Sequence, residues 1–364
     1  MIEIVLQHLE ALVGFDTRNP PRAIGSDGIF DYIKAQLPGF TFDLQDHGAG
    51  AVSLLAKRGA AKTMFNVHLD TVPSSEQWSE DPLRLRVLDD RAIGLGACDI
   101  KGAAAALLAA ASASTGAAAL LFTSDEEAND ARCVGAFLKS DHGFENAIIA
   151  EPTNAEAVLT HRGIASARLL FRGRVGHASG ANAANDSAVH CAVRWGHAAL
   201  KLVDGYAKQK FGGLTGLRFN IGRIEGGIKA NMIAPSAEIR FGFRPLPSQS
   251  FEALHAALQA CADMASVESY AETFRGPPLP AGETASAEER RLIARDFADS
   301  MGLPIGNAVD FWTEASLFSQ AGINAIVYGP GDIAQAHSAD EWVSLQQLEQ
   351  AANNYKRMLD HGSA

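Results

Sequence analysis

The sequence predicts an α/β protein with a mixed, mainly parallel sheet covered by helices on both faces, interrupted by a smaller inserted α+β domain. Three observations carry this. Short, almost wholly apolar runs at 63–69, 118–123, 146–150 and 324–328 suit strands buried on both sides, and helical patterns lie between several of them. Between 158 and 274 the pattern changes to longer alternating segments, at 164–172, 217–223 and 237–244, separated by helices near 185–203 and 250–263. A Gly- and Pro-rich stretch at 275–282 then marks the return, so 1–157 and 275–364 are expected to form one domain and 158–274 the insert.

The elements follow from the N-terminus. Residues 1–14 read as an amphipathic helix carrying Glu3 and Glu10 rather than a basic region ahead of an apolar signal core, which leads us to expect a cytoplasmic protein. No charged residue occurs from 102 to 124, but the stretch is mostly Ala and Gly116 divides it into a helix (103–114) and a strand (118–123). A buried helix and strand therefore replace the membrane span that its length would suggest. Cys98, Cys133, Cys191 and Cys261 lie far apart without a CxxC pair, which argues for free thiols over a zinc ribbon or a disulfide scaffold. Across 364 residues, 31 basic against 42 acidic side chains leave a net charge of -11, with no basic cluster interleaved with aromatics, so nucleic acid is excluded as an expected partner.

Polar residues gather where the apolar runs end. His68 and Asp70 close the first, Glu126 and Glu127 follow the second, Glu151 the third, His337 lies in the loop after the last, and Asp99 opens the Ala-rich helix. In an open α/β sheet, segments beyond the carboxyl ends of the strands converge on one crevice. His68 and Asp70 share a strand face, so the imidazole can bind a metal while the carboxylate fixes its tautomer. HxD alone is common, and an isolated Asp-Glu-Glu run at 125–127 is usually a solvated acidic turn; here the buried run delivers it to the rim of the sheet, where a cation offsets the charge. The stretch GLGACD at 94–99 resembles a dinucleotide fingerprint, but Asp99 stands at the third glycine and would repel a pyrophosphate. The three negative charges of Asp99, Glu127 and Glu151, with a bridging hydroxide and neutral His68 and His337, would nearly neutralise two divalent ions bridged by Asp99, which leaves Glu126 as general base.

These residues fall in motifs that run through nearly the whole chain: NVHLDTVP (66–73), GLGACDIKG (94–102), TSDEE (123–127), AEPT (150–153), GHAS (176–179), NMIAP (231–235) and AHSADEWV (336–343). In them the chain resembles the dinuclear-zinc peptidases and deacylases of the acetylornithine deacetylase and succinyl-diaminopimelate desuccinylase type. The resemblance implies a zinc-peptidase-like catalytic domain and a ferredoxin-like inserted domain that serves as lid and makes a homodimer. It implies two ions per subunit, zinc or cobalt, one held by His68, Asp99 and Glu151, the other by Asp99, Glu127 and His337. Asp70 would orient His68, Glu126 act as acid and base, and His177 stabilise the oxyanion in the partner's site. Asn231, Arg244 and the loop Gly329-Pro-Gly331 would contact substrate, Gly331 near its carboxylate. The chain departs from the family in carrying DIKGA at 99–103 where DMKGG is frequent, a change expected to affect packing beside the bridging ligand.

Glu151, where related aminopeptidases carry Asp, implies an N-acyl amino acid as substrate. The resemblance ranks N-acetyl-L-citrulline first, hydrolysed to L-citrulline and acetate in arginine biosynthesis, ahead of acetylornithine, succinylated substrates and carboxypeptidase substrates. The alternative outside enzymes is a silent, metabolite-binding relative, disfavoured because every metal and base position is filled.

Overall fold

A computed structural model describes residues 1–22, 24–128, 132–140 and 142–361. Its chain begins with helices α1 (Ile2–Val13) and α2 (Ile29–Gln36), then strands β1 (Thr41–Asp46), β2 (Val52–Arg58), β3 (Thr63–His68), β4 (Arg86–Leu88) and β5 (Arg91–Ile93). Helix α3 (Lys101–Ser112), β6 (Ala118–Thr123), α4 (Arg132–Leu138) and β7 (Asn146–Ile149) follow. Next come β8 (Ile164–Arg172), α5 (Ala183–Asp186), α6 (Ala188–Asp204), the short β9 (Lys210–Phe211) and β10 (Leu214–Thr215), β11 (Arg218–Gly226), β12 (Ser236–Arg244), α7 (Phe251–Ala260) and β13 (Val267–Gly276). The chain ends through α8 (Ala287–Ser300), α9 (Ala315–Gln320), β14 (Asn324–Val327), β15 (Trp342–Ser344) and α10 (Leu345–His361).

Two compact units result. The first (Met1–Leu159, Leu292–Asn307 and Thr313–Ala364) holds a six-stranded sheet in the order β1-β2-β6-β3-β7-β14. From β6 through β14 the neighbours are parallel, while β1 and β2 run antiparallel at one edge. The sheet is mixed and mainly parallel, as the apolar runs predict. On one face Phe65 of β3 meets Tyr355 of α10 edge-on at 5.6 Å; on the other, Asn66 turns toward Glu314 at the head of α9. Every residue of β6 is buried, which is why its sequence shows no alternation. Helix α3 begins at Lys101, two residues before the Ala run that signals it, and all but its last residue is buried. Among the described residues, no helix is long and apolar enough to cross a membrane. The four cysteines are free thiols, three of them buried.

The second unit (Thr160–Arg291 and Ala308–Trp312) is an antiparallel sheet in the order β11-β12-β8-β13, with α6 and α7 supplying its core. Leu169 and Phe171 of β8 and Ile239 and Phe241 of β12 alternate into that core, where Trp195 of α6 donates its indole N–H to Leu258 O at 2.8 Å. The helix expected over 185–203 is broken at Ser187, whose hydroxyl accepts the His190 N–H and caps α6.

The division differs from the expected 158–274. The return to the first unit falls at Leu292, because 277–291 stays tied to the second unit through the Leu279 N–H, which donates to His161 O at 3.1 Å. A short strap, Ala308–Trp312, also belongs there: the Val309 N–H donates to Thr160 O at 3.1 Å, Asp310 pairs with the buried Arg162, and the Trp312 indole donates to Pro277 O at 3.0 Å. The chain therefore passes between units four times, at 159/160, 291/292, 307/308 and 312/313, where the sequence suggests two.

Gly102 shows how tightly α3 is seated, since a Cβ there would lie 2.4 Å from Ala97 O. Helix propensity favours Ala over Gly by about 1 kcal/mol, whereas overpacking a filled site costs about 1–3 kcal/mol. G102A is thus expected to destabilise, seen as a lower unfolding midpoint in a urea titration; a raised midpoint would show that the turn before α3 yields freely.

Candidate metal centre

The parallel strands bring their carboxyl ends together within the first unit. His68 is the last residue of β3, Glu126 and Glu127 follow β6, Glu151 follows β7, and Asp99 precedes α3. His337 comes from the loop after β14 in a left-handed backbone conformation, φ +58°. His68 Nε2 lies 3.1 Å from Asp99 Oδ1 and 3.9 Å from Glu151 Oε1, while His337 Nε2 lies 3.4 Å from Asp99 Oδ2 and 3.0 Å from Glu127 Oε1. Each trio, His68–Asp99–Glu151 and Asp99–Glu127–His337, presents its ligand atoms within 4.8 Å of one another. Asp99 turns one oxygen to each, the disposition of a bridging carboxylate.

The electrostatics follow from burial and from the closeness of the acids. Burial drives the Glu151 carboxyl well above its usual range, with the Asp99 charge adding to it. Burial also raises Glu127, against the pull of His337, and pushes Glu126 up to about 8. His68 is held well above the usual imidazole value: burial opposes its charge, but Asp70 and Asp99 outweigh that. Asp99 and Glu127 lift His337 to about 10, and these two imidazoles hold Asp99 below the carboxylate range despite its burial. Carboxylates crowded together and buried in this way favour a positive charge beside them. Among the described residues, the buried Asp70 Oδ1 and Glu314 Oε1 find no hydrogen-bond partner. Imidazole nitrogens and carboxylate oxygens in this number fit divalent ions such as zinc or cobalt.

Asp70 departs from its expected contact. His68 Nδ1 lies 3.0 Å from the backbone carbonyl of Asp70 and 3.5 Å from its carboxylate. The chain leaves the strand after His68, so the carbonyl rather than the side chain meets the ring, and Nε2 still faces Asp99. The Asp70 carboxylate instead accepts the Glu127 N–H at 3.0 Å and the Asn19 amide at 3.2 Å, anchoring the turn that carries Glu126 and Glu127.

The loop 329–331 supports the ligands from below. Gly329 is obligatory because a Cβ would sit 2.7 Å from Glu151 O, and Gly331, at φ +101°, would drive one to 2.7 Å from Cys98 Sγ. The Gly331 N–H donates to Gln347 Oε1 at 2.8 Å. His177, Asn231 and Arg244 belong to the second unit. There His177 is exposed, its Nδ1 lies 2.7 Å from Ser179 Oγ, and the neighbouring Ala178 N–H donates to Asn231 O at 3.0 Å. Arg244, its guanidinium pKa lowered by burial, lines a cavity of about 680 Å³ with Arg168, Arg218, Asn220 and Arg240 on the sheet face opposite the helices.

Two buried acids escaped the sequence reading. Glu314, at the head of α9, accepts the Asn66 amide at 3.1 Å, the amide being oriented to satisfy both of its ends, and its carboxyl is held well above the usual range by burial and then by Glu126 and Asp125. Nothing local marks it beyond a Glu ahead of an apolar run. Glu341 stands inside the AHSADEWV motif, four residues after His337, and that proximity was the available signal.

The fold and the paired ligand groups together define a metal-dependent hydrolase of amide bonds, its site at the carboxyl ends of a mainly parallel sheet. The chain belongs to peptidase family M20/M25/M40, whose model matches residues 64–361. It is 61% identical over 361 residues to the N-acetyl-L-citrulline deacetylase of Xanthomonas campestris pv. campestris, covering 99% of this chain and 98% of that one. It is 30% identical over 362 residues to the acetylornithine deacetylase of Myxococcus xanthus, covering 92% and 91%. Among solved structures, the aminopeptidase PepT from Bacillus cereus shares the fold with a TM-score of 0.75 at 19% identity, over 100% of this chain and 99% of that one.

Because His337 carries a proton up to about pH 10, a metal must displace that proton to bind. Metal affinity is therefore expected to weaken as pH falls from 8 to 6, by up to about tenfold per unit for each proton displaced. Calorimetric titrations in buffers of different ionisation enthalpy should report proton release; an uptake independent of buffer and pH would contradict it.

Proposed function

We propose that this protein hydrolyses N-acetyl-L-citrulline to L-citrulline and acetate, with two divalent ions per subunit, zinc or cobalt. The observation that carries this is the 61% identity with the acetylcitrulline deacetylase across essentially the full length of both chains. His68, Asp99 and Glu151 would hold one ion and Asp99, Glu127 and His337 the other; bound there, they lower the pKa of a water and polarise the acetyl carbonyl. Glu126, near enough to His68, Glu127 and Asp99 for their charges to act on its carboxyl, takes the proton from the water as the water oxygen bonds to the carbonyl carbon. The same carboxyl then gives that proton to the nitrogen as the C–N bond breaks, leaving acetate and the free amine. Burial of the Glu126 carboxyl favours its neutral form, which helps it hold the proton and pass it on. Asp70 fixes the turn that presents Glu126, and the Asp70 carbonyl sets the His68 tautomer.

His177, Asn231 and Arg244 are read as substrate contacts, His177 at the oxyanion of a partner subunit and Arg244 as a guanidinium for an anionic group. Pairing of two copies through the second unit is supported by Val193 and Leu200, seven residues apart on the outer face of α6, and by Ile224 on the edge strand β11, all more than half exposed. We place the reaction in the cytoplasm and in arginine biosynthesis, as the sequence resemblance implies.

A panel of N-acetylcitrulline, N-acetylornithine and N-succinyl-diaminopimelate, assayed with cobalt- or zinc-loaded protein, tests the substrate. N-acetylcitrulline is expected to show the highest kcat/KM; faster cleavage of N-acetylornithine would move the assignment to the ornithine derivative. E126Q should retain both ions while kcat falls by about 10²–10⁴-fold, the range of general acid–base catalysis. An unchanged kcat would remove Glu126 from the proton path. L200E, which sets a charge on the α6 face, is expected to turn a dimer into a monomer in light scattering; a wild-type monomer would end the pairing proposal.

A further inference from the structure

Glu341 belongs to neither group of metal-ligating side chains, yet it is buried, with 2% of its surface exposed. Its Oε2 accepts the Gly96 N–H at 2.9 Å, and its Oε1 accepts the N–H groups of both Cys98 and Asp99, each at 2.9 Å. The backbone carbonyl of the same residue accepts the Gly94 N–H at 3.0 Å. Four amides of the turn 94–99 thus end on one residue, 242 positions beyond Asp99. The turn also closes on itself, with the Ala97 N–H donating to Gly94 O at 3.0 Å and the Lys101 N–H to Gly96 O at 2.7 Å. Buried amides require partners, and bonds to a carboxylate are about twice as strong as neutral ones.

The placement gives this hydrogen bonding a purpose beyond folding. One of the three amides on the carboxylate is that of Asp99 itself, whose two side-chain oxygens face His68 and His337. Glu341 also lies on the chain segment that delivers His337, so a single side chain joins the backbone of the shared ligand to the loop of a second ligand.

We propose that Glu341 is a positioning residue that clasps the turn 94–99 to the His337 loop and so holds Asp99 where one carboxylate serves both ligand groups. This rests on the two-ion reading above. Glutamine keeps the shape but replaces one acceptor oxygen with an NH2 group, which faces backbone N–H groups it cannot accept from.

The test titrates cobalt(II) into metal-free full-length protein and follows both affinity and the visible absorption of the bound ion. E341Q is expected to bind cobalt about 10–100-fold more weakly at both positions, the loss usual when a group supporting a metal ligand is removed, and to give an altered spectrum. In a D99N background, where the shared carboxylate is already gone, E341Q should cost nothing more. Wild-type affinity and spectrum in E341Q would overturn the proposal, and so would an additive loss in the double variant, which would mark Glu341 as a fold residue only. Should E341Q fail to fold by circular dichroism, E341D retains both oxygens on a side chain one methylene shorter. It is expected to weaken cobalt binding and lower kcat with KM little changed, and wild-type behaviour in E341D would overturn the proposal equally. If wild-type protein takes up no cobalt, the two-ion reading falls and the clasp with it; if wild type and E341Q each bind two ions alike, only the clasp falls.

Discussion

A single carboxylate facing two imidazoles organises the catalytic unit. Asp99 Oδ1 and Oδ2 lie 3.1 and 3.4 Å from His68 and His337, and these two histidines reach the site from opposite ends of the chain. Keeping one small side chain in that relation demands that its backbone be fixed, because an aspartate has only two rotatable bonds with which to adjust. Much of the surrounding structure meets that demand. The Ala-rich α3 is buried along nearly its whole length, the turn before it is tied down at four amides, and Gly329 and Gly331 let their loop lie against Glu151 and Cys98.

Buried acids would ordinarily be a defect in such a core. Asp70, Asp99, Glu151, Glu314 and Glu341 are all within the interior, and burial pushes the Glu151 and Glu314 carboxyls well above their usual range. Desolvation sets that behaviour, and mutual repulsion deepens it. The fold tolerates the cost because each acid is placed with a purpose: three of these five receive amide hydrogen bonds, and two face ring nitrogens.

The sequence carries the sheet plainly. Strands β3, β6, β7 and β14 are covered on both faces, so their apolar runs stand out, and the polar residues that end those runs are the ones the structure brings together. Contacts that depend on distant partners were not legible. The i, i+2 spacing of His68 and Asp70 puts both side chains on one face only while the strand continues, and it ends at His68. The strap 308–312 is too short to show any periodicity and is held by Thr160, Arg162 and Pro277, each more than 30 residues away. Glu341 reads as one more acid in a polar motif until the turn 94–99 is folded against it.

The two ligand groups differ in their openness to water. His68 is 2% exposed and sits with buried Asp99 and Glu151, whereas the His337 side chain is 52% exposed. Solvent therefore has a more direct route to the His337 group than to the His68 group. An ion held on the His337 side would be the more labile, exchanging with the medium and yielding first to a chelator, while one held on the His68 side would exchange more slowly. Stripping would then follow an order set by exposure, the His337 side emptying first and a singly loaded protein keeping its ion with His68.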